Sequence, residues 1–260
     1  MSTRLALFGG VYGNDLALEA VLRHVRRRGA DLVWCLGDVG GFGPHPDRAA
    51  EILRGHGIPT LRGNYDEAIG HERLDCGCGY TDPRDNRFAQ LSYDFTLANT
   101  APAHREWMRS LPEQECIEVG SRRVLMCHGS PRRVNEFLWE SSCSDAFLEW
   151  LCERYCADVI ACSHSGIPWH RALPTGRHVV NVGAIGRPSN DGRADVWYAA
   201  LEFNGDVRVK FRPVGYDVET VAREMARASL PPEFIETLRS GWWTTCLENL
   251  PARERRRGRF

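Results

Sequence analysis

Short apolar runs alternate with segments of helical period along the first half of the chain. Residues 4–8 (RLALF) are apolar and lead into glycines, and residues 15–28 carry leucine and valine at helical spacing. The order repeats in residues 31–38 (DLVWCLGD) and in the helical pattern of residues 47–57. These repeats predict strand–loop–helix units, in which side chains that carry chemistry lie at the carboxyl ends of the strands.

The middle of the chain mixes the same signals with a polar stretch. Residues 58–64 (IPTLRGN) predict a strand that ends in Gly-Asn, and residues 91–111 predict a helix. Residues 117–130 predict a hairpin whose second strand ends at His128. Residues 70–90 show little hydrophobic period, so we expect an inserted polar loop there.

Strand patterns dominate the second half. Residues 147–156 predict a helix, and residues 158–166 predict a strand that leads to His164. Successive strands of a second sheet are predicted in RHVVNVGAIGRP, ADVWYAALEF and VRVKFRPV. The expected fold class is α/β, a four-layer αββα sandwich of two mixed β-sheets flanked by helices. It forms a single domain over residues 1–260, with a C-terminal helical extension at residues 217–260.

Composition excludes several classes of protein. With 260 residues, of which 43% are hydrophobic, the chain can bury a full core. Acids and bases nearly cancel at a formal charge of −1, so the bulk charge gives no sign of a nucleic-acid or membrane partner. No apolar segment approaches the roughly 20 residues of a spanning helix, and the N-terminal run is too short for a signal peptide. We expect a cytoplasmic protein whose ten scattered cysteines form no disulfide framework.

Four polar side chains follow separate predicted strands. Asp38 lies in GDVGG, Asn64 in GNYD, His128 in CHGS and His164 in SHSG. Any one of them alone is more often a satisfied polar residue than a ligand. Together, a carboxylate, an amide oxygen and two imidazoles are donors that suit a divalent transition metal such as Mn, Fe or Zn. The sequence therefore predicts a metal site at the strand ends.

The order and spacing of these residues resemble the calcineurin-like metallophosphoesterase superfamily, with its motifs D-x-H, G-D-x-x, G-N-H-[DE], [GC]-H and G-H-x-H. The resemblance covers residues 4 to about 215, and GDVGGFGPHP makes the chain most similar to the small bacterial branch. It implies a two-sheet sandwich that hydrolyses a small phosphorylated or otherwise anionic substrate at a metal centre. It also implies that Asp38 bridges two metals and that Asn64, His128 and His164 complete the ligands of the second.

The departures from that pattern concern the first metal. Gly10 and Tyr12 replace the Asp and His of D-x-H, and Gly166 replaces the last His of G-H-x-H. The resemblance therefore implies one tightly bound ion and makes a second ion doubtful. Because two of the three lost ligands are glycine, we expect open space beside the remaining metal. Tyr12 could contact substrate or ligate metal in that space, or it could simply pack there.

Tyr65 stands where the superfamily has the histidine of G-N-H-[DE], which assists phosphoryl transfer in relatives. That replacement removes part of the acid–base chemistry which the resemblance would otherwise imply. We predict Asp38, Asn64, His128 and Tyr65 as the catalytic residues.

Arginines and cysteines near these motifs give further candidates. Arg132 and Arg133 follow the CHGS motif, and we favour them over Arg187 as the residues that bind an anionic substrate. Cys76 and Cys78 of the polar loop could supply thiolates to the lost metal position. A C-x-C pair is more often an ordinary turn with inert thiols, which is the expectation here.

Three functions fit these patterns. The retained ligands favour a phosphoric ester hydrolase, either a phosphomonoesterase or a phosphodiesterase, with a reduced or atypical metal site. The vacated positions would also suit an enzyme of altered chemistry on the same fold, and the lost ligands would suit a non-catalytic binding or regulatory protein. Metal content distinguishes the phosphoric ester hydrolase from the non-catalytic protein. A homo-oligomer is also open, because Trp242 and Trp243 could cover an interface.

Overall fold

The computed structural model describes residues 2–257 of the chain. The strands are β1 (Thr3–Phe8), β2 (Leu32–Cys35), β3 (Gln114–Val119), β4 (Arg122–Cys127), β5 (Val159–Cys162), β6 (Trp169–Ala172), β7 (His178–Asn181), β8 (Val196–Asn204) and β9 (Asp206–Val214). The helices are α1 (Asp15–Arg28), α2 (Pro46–Gly55), α3 (Asn64–Gly70), α4 (Pro83–Ala98), α5 (Pro102–Ser110), α6 (Asp145–Arg154), α7 (Val218–Arg227), α8 (Pro232–Ser240) and α9 (Ala252–Arg257).

The strands form two mixed sheets. The first sheet has the order β2-β1-β8-β9, and the second has the order β3-β4-β5-β7-β6. Parallel pairing joins β1 to β2 and joins β4, β5 and β7, whereas the other neighbours pair antiparallel. The predicted fold class, two mixed sheets flanked by helices, is confirmed.

Alternate side chains of the strands build separate apolar layers. Along β1, Leu5 and Leu7 pack between the two sheets, whereas Ala6 and Phe8 pack against the helices outside the first sheet. Strand β5 divides its side chains in the same way between the first sheet and α6. Successive side chains of a strand point to opposite faces, so this alternation gives the order helix, sheet, sheet, helix.

Strands β8 and β9 depart from the predicted arrangement. We predicted them in a second sheet with β7, but β8 lies antiparallel beside β1, with Leu201 opposite Leu5, and β9 pairs with β8. Strand β7 lies parallel beside β5 in the other sheet. An apolar pattern indicates that a segment forms a strand. It does not indicate which strand lies beside it, because the partner strand is far away in sequence.

Residues 58–64 do not form the predicted strand. Only Thr60 bridges to the first sheet, opposite Cys35 at the end of β2. Pro59 has no N–H to donate to a ladder, and the chain turns into helix α3 at Asn64. A turn rather than a strand therefore places this asparagine.

The polar stretch at residues 70–90 is only partly a loop. Helix α4 begins within it at Pro83, and the side chain of Asp82 caps its first turn. The helix predicted over residues 91–111 is likewise divided into α4 and α5, with a break before Pro102. Proline suits the first turn of a helix but interrupts its interior, which explains both boundaries.

The C-terminal segment is helical where the predicted extension lies, with α7, α8 and α9 between residues 218 and 257. Residues 258–260 of that extension lie outside the described residues. Within residues 2–257, no helix has the length and apolar character needed to cross a membrane.

Candidate metal centre

The loops that follow β1, β2, β4, β5 and β7 meet at one end of the sandwich. The N–H of Gly10 donates to the carbonyl of Gly37 at 2.9 Å, and the N–H of Gly186 donates to the carbonyl of Gly10 at 2.7 Å. In the second sheet, the N–H of His164 donates to the carbonyl of His128 at 2.9 Å. These bonds hold side chains from both sheets at a shared end.

Asp38 has a left-handed backbone conformation (φ 56°), which is costly for a residue with a side chain. The buried carboxylate of Asp66 stabilises it by accepting N–H bonds from Asp38 at 2.7 Å and from Val39 at 2.9 Å. The side chain is also fixed, because Oδ1 of Asp38 accepts the Tyr65 N–H at 3.1 Å. Its other oxygen, Oδ2, faces His128.

The backbone orients the ring of His128. Its Nδ1 lies 2.7 Å from the carbonyl oxygen of Leu36, which can only accept, so Nδ1 carries a proton. Its Nε2 lies 3.2 Å from Oδ2 of Asp38 and 3.1 Å from Nδ1 of His164. Nε2 of the neutral ring carries a lone pair that faces Oδ2 of Asp38 and Nδ1 of His164. A bound cation or a shared proton would stabilise this arrangement.

Burial and neighbouring charge set the protonation of this cluster. Burial alone would raise the pKa of Asp38, but the adjacent His128 and His164 hold it below its usual range. Burial lowers the pKa of His164 to about 3, and the charge of His128 acts in the same direction. His164 is therefore neutral near physiological pH and keeps a lone pair for a ligand.

Asn64 adds an oxygen donor to the same region. Its Nδ2 donates to the carbonyl of Cys76 at 2.8 Å, and its Oδ1 is buried without a hydrogen-bond partner. Nε2 of His164 is likewise buried without a partner. Buried polar atoms nearly always have partners, so an orphaned amide oxygen in the wall that also holds Asp38 fits a cation-binding role.

Asp38, His128 and His164 each place one ligand atom within 4.8 Å of the others. Within residues 2–257, they are the one group of three or more His, Cys, Asp or Glu side chains with this arrangement. Donors bonded tetrahedrally to one Zn ion at about 2.0–2.2 Å lie about 3.3–3.6 Å apart, and the separations here, 3.1 and 3.2 Å, are slightly shorter. The donor set therefore fits Mn, Fe or Zn.

A cavity of about 60 Å³ adjoins this cluster. Asp38, Asn64 and His164 lie in its wall, whereas His128 is buried behind them. Aromatic side chains form much of the remaining wall, namely Tyr12, Phe42, Tyr65, Tyr80, Phe88, Phe137, Trp139, Phe234 and Trp243. Such a lining keeps bulk water away from the polar cluster.

The space expected beside Gly10 is filled. A Cβ atom on Gly10 would lie 2.7 Å from the Cβ of Ala184 and 3.0 Å from the ring of Tyr12. A Cβ atom on Gly166 would lie 3.3 Å from the ring of Trp243. Neighbouring side chains, Tyr12 among them, therefore take up the volume at the two glycines themselves, and the open space beside the proposed ligands is the cavity.

Tyr12 and Tyr65 both line the cavity. The hydroxyl of Tyr65 donates to Oγ of Ser92 on α4 at 3.1 Å. Burial raises the pKa of both phenols above their usual range, so each is neutral. Among the alternatives for Tyr12, packing against Gly10 is the one that the contacts favour.

The arginine in the cavity is Arg187. It is buried, and its guanidinium carbon lies 3.6 Å from the ring centroid of Trp243. Arg132 and Arg133, which the sequence favoured, are exposed and line a surface groove that shares Asn64 with the cavity. Nε of Arg132 also donates to Glu136 at 3.0 Å. The only sequence signal for the cavity arginine is its place in the GAIGRP turn, directly after Gly186, which does not reveal where the side chain points.

The C-x-C turn differs from its predicted state. Cys76 and Cys78 are joined by a disulfide across Gly77, with their Cα atoms 5.3 Å apart. Gly77 has a left-handed conformation (φ 63°) that lets the chain turn this tightly. The expectation of two inert free thiols is therefore wrong. The other eight cysteines are free, as expected for a chain without a disulfide framework.

Helix α4 fastens the C-terminal segment beside the cavity. The buried carboxylate of Asp85 accepts N–H bonds from Cys246 at 2.7 Å, Leu247 at 2.6 Å and Glu248 at 2.8 Å. Cys246 and Trp243 of this segment line the cavity. Trp243 is buried inside the chain and Trp242 is half-buried, so of the two only Trp242 has surface to offer an oligomer interface.

Comparison with known proteins agrees with this architecture. Residues 5–206 match a family model described as a calcineurin-like phosphoesterase superfamily domain. An uncharacterized protein of Methanocaldococcus jannaschii is 24% identical over 255 residues, which cover 92% of this chain and 98% of that protein. The chain therefore belongs to the calcineurin-like phosphoesterase superfamily, whose reaction class is phosphoric ester hydrolysis.

Two solved structures share the fold over most of their length. A metallophosphoesterase from Sphaerobacter thermophilus is 25% identical, with a TM-score of 0.72, covering 93% of this chain and 100% of that chain. A hypothetical protein from Pyrococcus horikoshii OT3 is 20% identical, with a TM-score of 0.79 and the same coverage. The resemblance inferred from the strand-end motifs is confirmed.

Proposed function

We propose that this chain is a metal-dependent phosphoric ester hydrolase that works with one tightly bound divalent transition-metal ion, Mn, Fe or Zn. The observation that carries the proposal is the convergence of ligand atoms from Asp38, His128 and His164 within 4.8 Å, beside a cavity lined largely by aromatic side chains. The superfamily supplies the reaction class, and the substrate is a phosphomonoester or a phosphodiester.

Asp38, Asn64, His128 and His164 would hold the ion. Each donor is oriented by the protein, since Leu36 fixes the ring of His128 and the Cys76 carbonyl fixes the amide of Asn64. When bound, such an ion supplies Lewis acidity toward a phosphoryl oxygen and makes water a better nucleophile. One ion is proposed rather than two, because packed side chains fill the positions of the other ligands.

The other residues of the site position the metal ligands and surround the phosphate group. The backbone N–H of Tyr65 holds the Asp38 carboxylate at 3.1 Å, so we assign Tyr65 a positioning role rather than proton transfer. The aromatic wall excludes bulk water, which strengthens each electrostatic contact with a phosphate group. Arg132 and Arg133 have no place in this proposal, because they lie outside the cavity wall.

We further propose a small phosphorylated substrate and a cytoplasmic location. A cavity of about 60 Å³ suits one phosphoryl group with few further atoms inside the wall. The eight free cysteines suit a reducing compartment.

Elemental analysis of the full chain, purified without an affinity tag that binds metal, tests the proposal together with ester hydrolysis. We expect about one equivalent of Mn, Fe or Zn and metal-dependent hydrolysis of p-nitrophenyl phosphate or bis(p-nitrophenyl) phosphate. Bound metal without hydrolysis across a wider panel of phosphate esters would support altered chemistry instead. A chain with neither metal nor hydrolysis would overturn the proposal in favour of a non-catalytic protein.

A further inference from the structure

Arg187 is a buried cation that no carboxylate neutralises. The residue is 8% exposed, and none of the ion pairs formed within residues 2–257 includes it. Its Nε is buried without a hydrogen-bond partner. The side chains around it are those of Tyr12, Tyr80 and Cys246, and Cys246 forms a side-chain hydrogen bond with it. An unneutralised buried charge is strongly unfavourable, so an anionic ligand would stabilise this guanidinium.

Aromatic packing holds the guanidinium of Arg187 in one place. Its central carbon lies 3.6 Å from the ring centroid of Trp243 and 5.6 Å from that of Tyr12. Trp243 is fixed in turn, since its backbone N–H donates to Asn190 at 2.9 Å and its indole N–H donates to the Pro188 carbonyl at 2.6 Å. A planar cation stacked on a fixed ring is already oriented for an oxyanion.

The guanidinium lies next to positions that carry first-metal ligands in the superfamily motifs. A Cβ atom on Gly166, at the last position of G-H-x-H, would lie 3.4 Å from Nη2 of Arg187. Tyr12 stands at the histidine position of D-x-H. Arg187 also shares the cavity wall with Asp38 and His164. A fixed positive charge therefore lies beside the proposed metal ligands, on the side from which the first-metal ligands are missing.

We propose that Arg187 replaces the first metal ion as the cation that binds phosphoryl oxygens in this site. The inference rests on the proposed function, since it places a phosphate group between the guanidinium and the ligands Asp38, His128 and His164. A guanidinium offers two parallel N–H donors that match two oxygens of a tetrahedral phosphate. Arg187 binds and orients the group and balances its charge, and it neither forms nor breaks a bond.

Calorimetric titration with inorganic phosphate tests this assignment on the full chain as purified, with metal content measured on the same samples. We expect Arg187→Gln to bind phosphate about 10- to 100-fold more weakly than the wild type, the cost of losing hydrogen bonds to a charged group. Its metal content should be unchanged. Arg54→Gln is the matched control, because Arg54 also lies over a tryptophan ring, Trp107 at 5.9 Å, but on the exposed face of α2.

Arg187→Lys keeps the charge without the planar fork, so we expect about tenfold weaker phosphate binding. If Arg187→Gln does not fold, Arg187→Lys is used for the test in its place. Phosphate affinity within about twofold of the wild type in either folded variant would overturn the assignment. In that case, bound metal and ester hydrolysis by the wild type would leave the proposed function standing. A metal-free wild type whose phosphate binding depends on Arg187 would instead overturn the metal centre and support the anion site.

Discussion

Nε2 of His128 lies 3.2 Å from Oδ2 of Asp38, and the two residues belong to different sheets. His128 follows β4 of the second sheet, and Asp38 follows β2 of the first. The hydrogen bond from Nδ1 of His128 to Leu36 crosses the same boundary. The geometry of the candidate metal centre therefore depends on how the two sheets are packed against each other.

Substitution of either residue is expected to strip the metal. Asp38→Ala and His128→Ala each remove one donor from a set of four, so we expect at least a tenfold loss of bound metal after dialysis. Elemental analysis measures this directly. His56→Ala, at an exposed histidine after α2, is the control and should leave the metal content unchanged. Full metal content in Asp38→Ala or His128→Ala would contradict the site assignment.

Restoring an aspartate at position 10 is not expected to restore a second ion. In Gly10→Asp the new Cβ atom would lie 2.7 Å from that of Ala184. Overpacking of this kind costs about 1–3 kcal/mol, so we expect a lower Tm with no gain of metal. Thermal unfolding and elemental analysis provide the two readouts.

Gly57→Asp is the matched control for that substitution. Gly57 has a φ of 62° against 54° for Gly10, but an added Cβ atom there meets nothing within 4 Å. Gly57→Asp therefore measures the free-energy cost of placing Asp in a left-handed backbone conformation, without the steric clash at Gly10. A second equivalent of metal in Gly10→Asp, or equal destabilisation of the two variants, would contradict the packing seen around Gly10.

The C-terminal segment should loosen when its anchor on α4 is removed. Asp85→Ala leaves the N–H groups of Cys246, Leu247 and Glu248 without their buried acceptor. We expect a loss of about 1–3 kcal/mol in local stability, visible as faster hydrogen–deuterium exchange in residues 243–249. Asp94→Ala, which removes an exposed carboxylate on the same helix, should not change that exchange. Unaltered exchange in Asp85→Ala would show that other contacts hold the segment.

Stability should fall as the pH decreases from about 7 towards about 4, because of a histidine pair that lies outside the cluster. His170 and His178 stack on neighbouring strands, with ring centroids 5.2 Å apart. Burial, and then the charge of His178, lower the pKa of His170 to about 4, and burial also lowers that of His178. The unfolded chain thus takes up protons near pH 6.5 that the folded pair resists, so acid favours unfolding.

Urea unfolding at pH 7 and pH 5 measures this dependence. His178 is buried but His170 is only half-buried, so water screens the pair in part and we expect a contribution on the order of 1 kcal/mol. His170→Gln should lose less stability between the two pH values than the wild type, whereas His56→Gln should behave like the wild type. An equal pH dependence in His170→Gln and the wild type would rule the pair out as its source.

The sequence was sufficient to predict the fold class, and it singled out Asp38, His128 and His164, whose side chains the structure brings together. Asp38, His128 and His164 follow strands whose carboxyl ends meet, and a strand-end position can be read from an apolar run. The inward direction of Arg187 could not be read in this way, because it depends on the ring of Trp243, 56 positions further along the chain. The pairing of β8 with β1 was missed for the same reason, since both are contacts between distant segments.

The ring of Tyr12 over Gly10 couples the two positions. A side chain added at position 10 alone meets that ring and Ala184, and a smaller residue at position 12 alone opens an unfilled space beside Arg187. Each of these single substitutions is therefore unfavourable by itself. A larger side chain at position 10 is accommodated only together with a smaller one at position 12, so variants at this end of the cavity have to be designed in pairs.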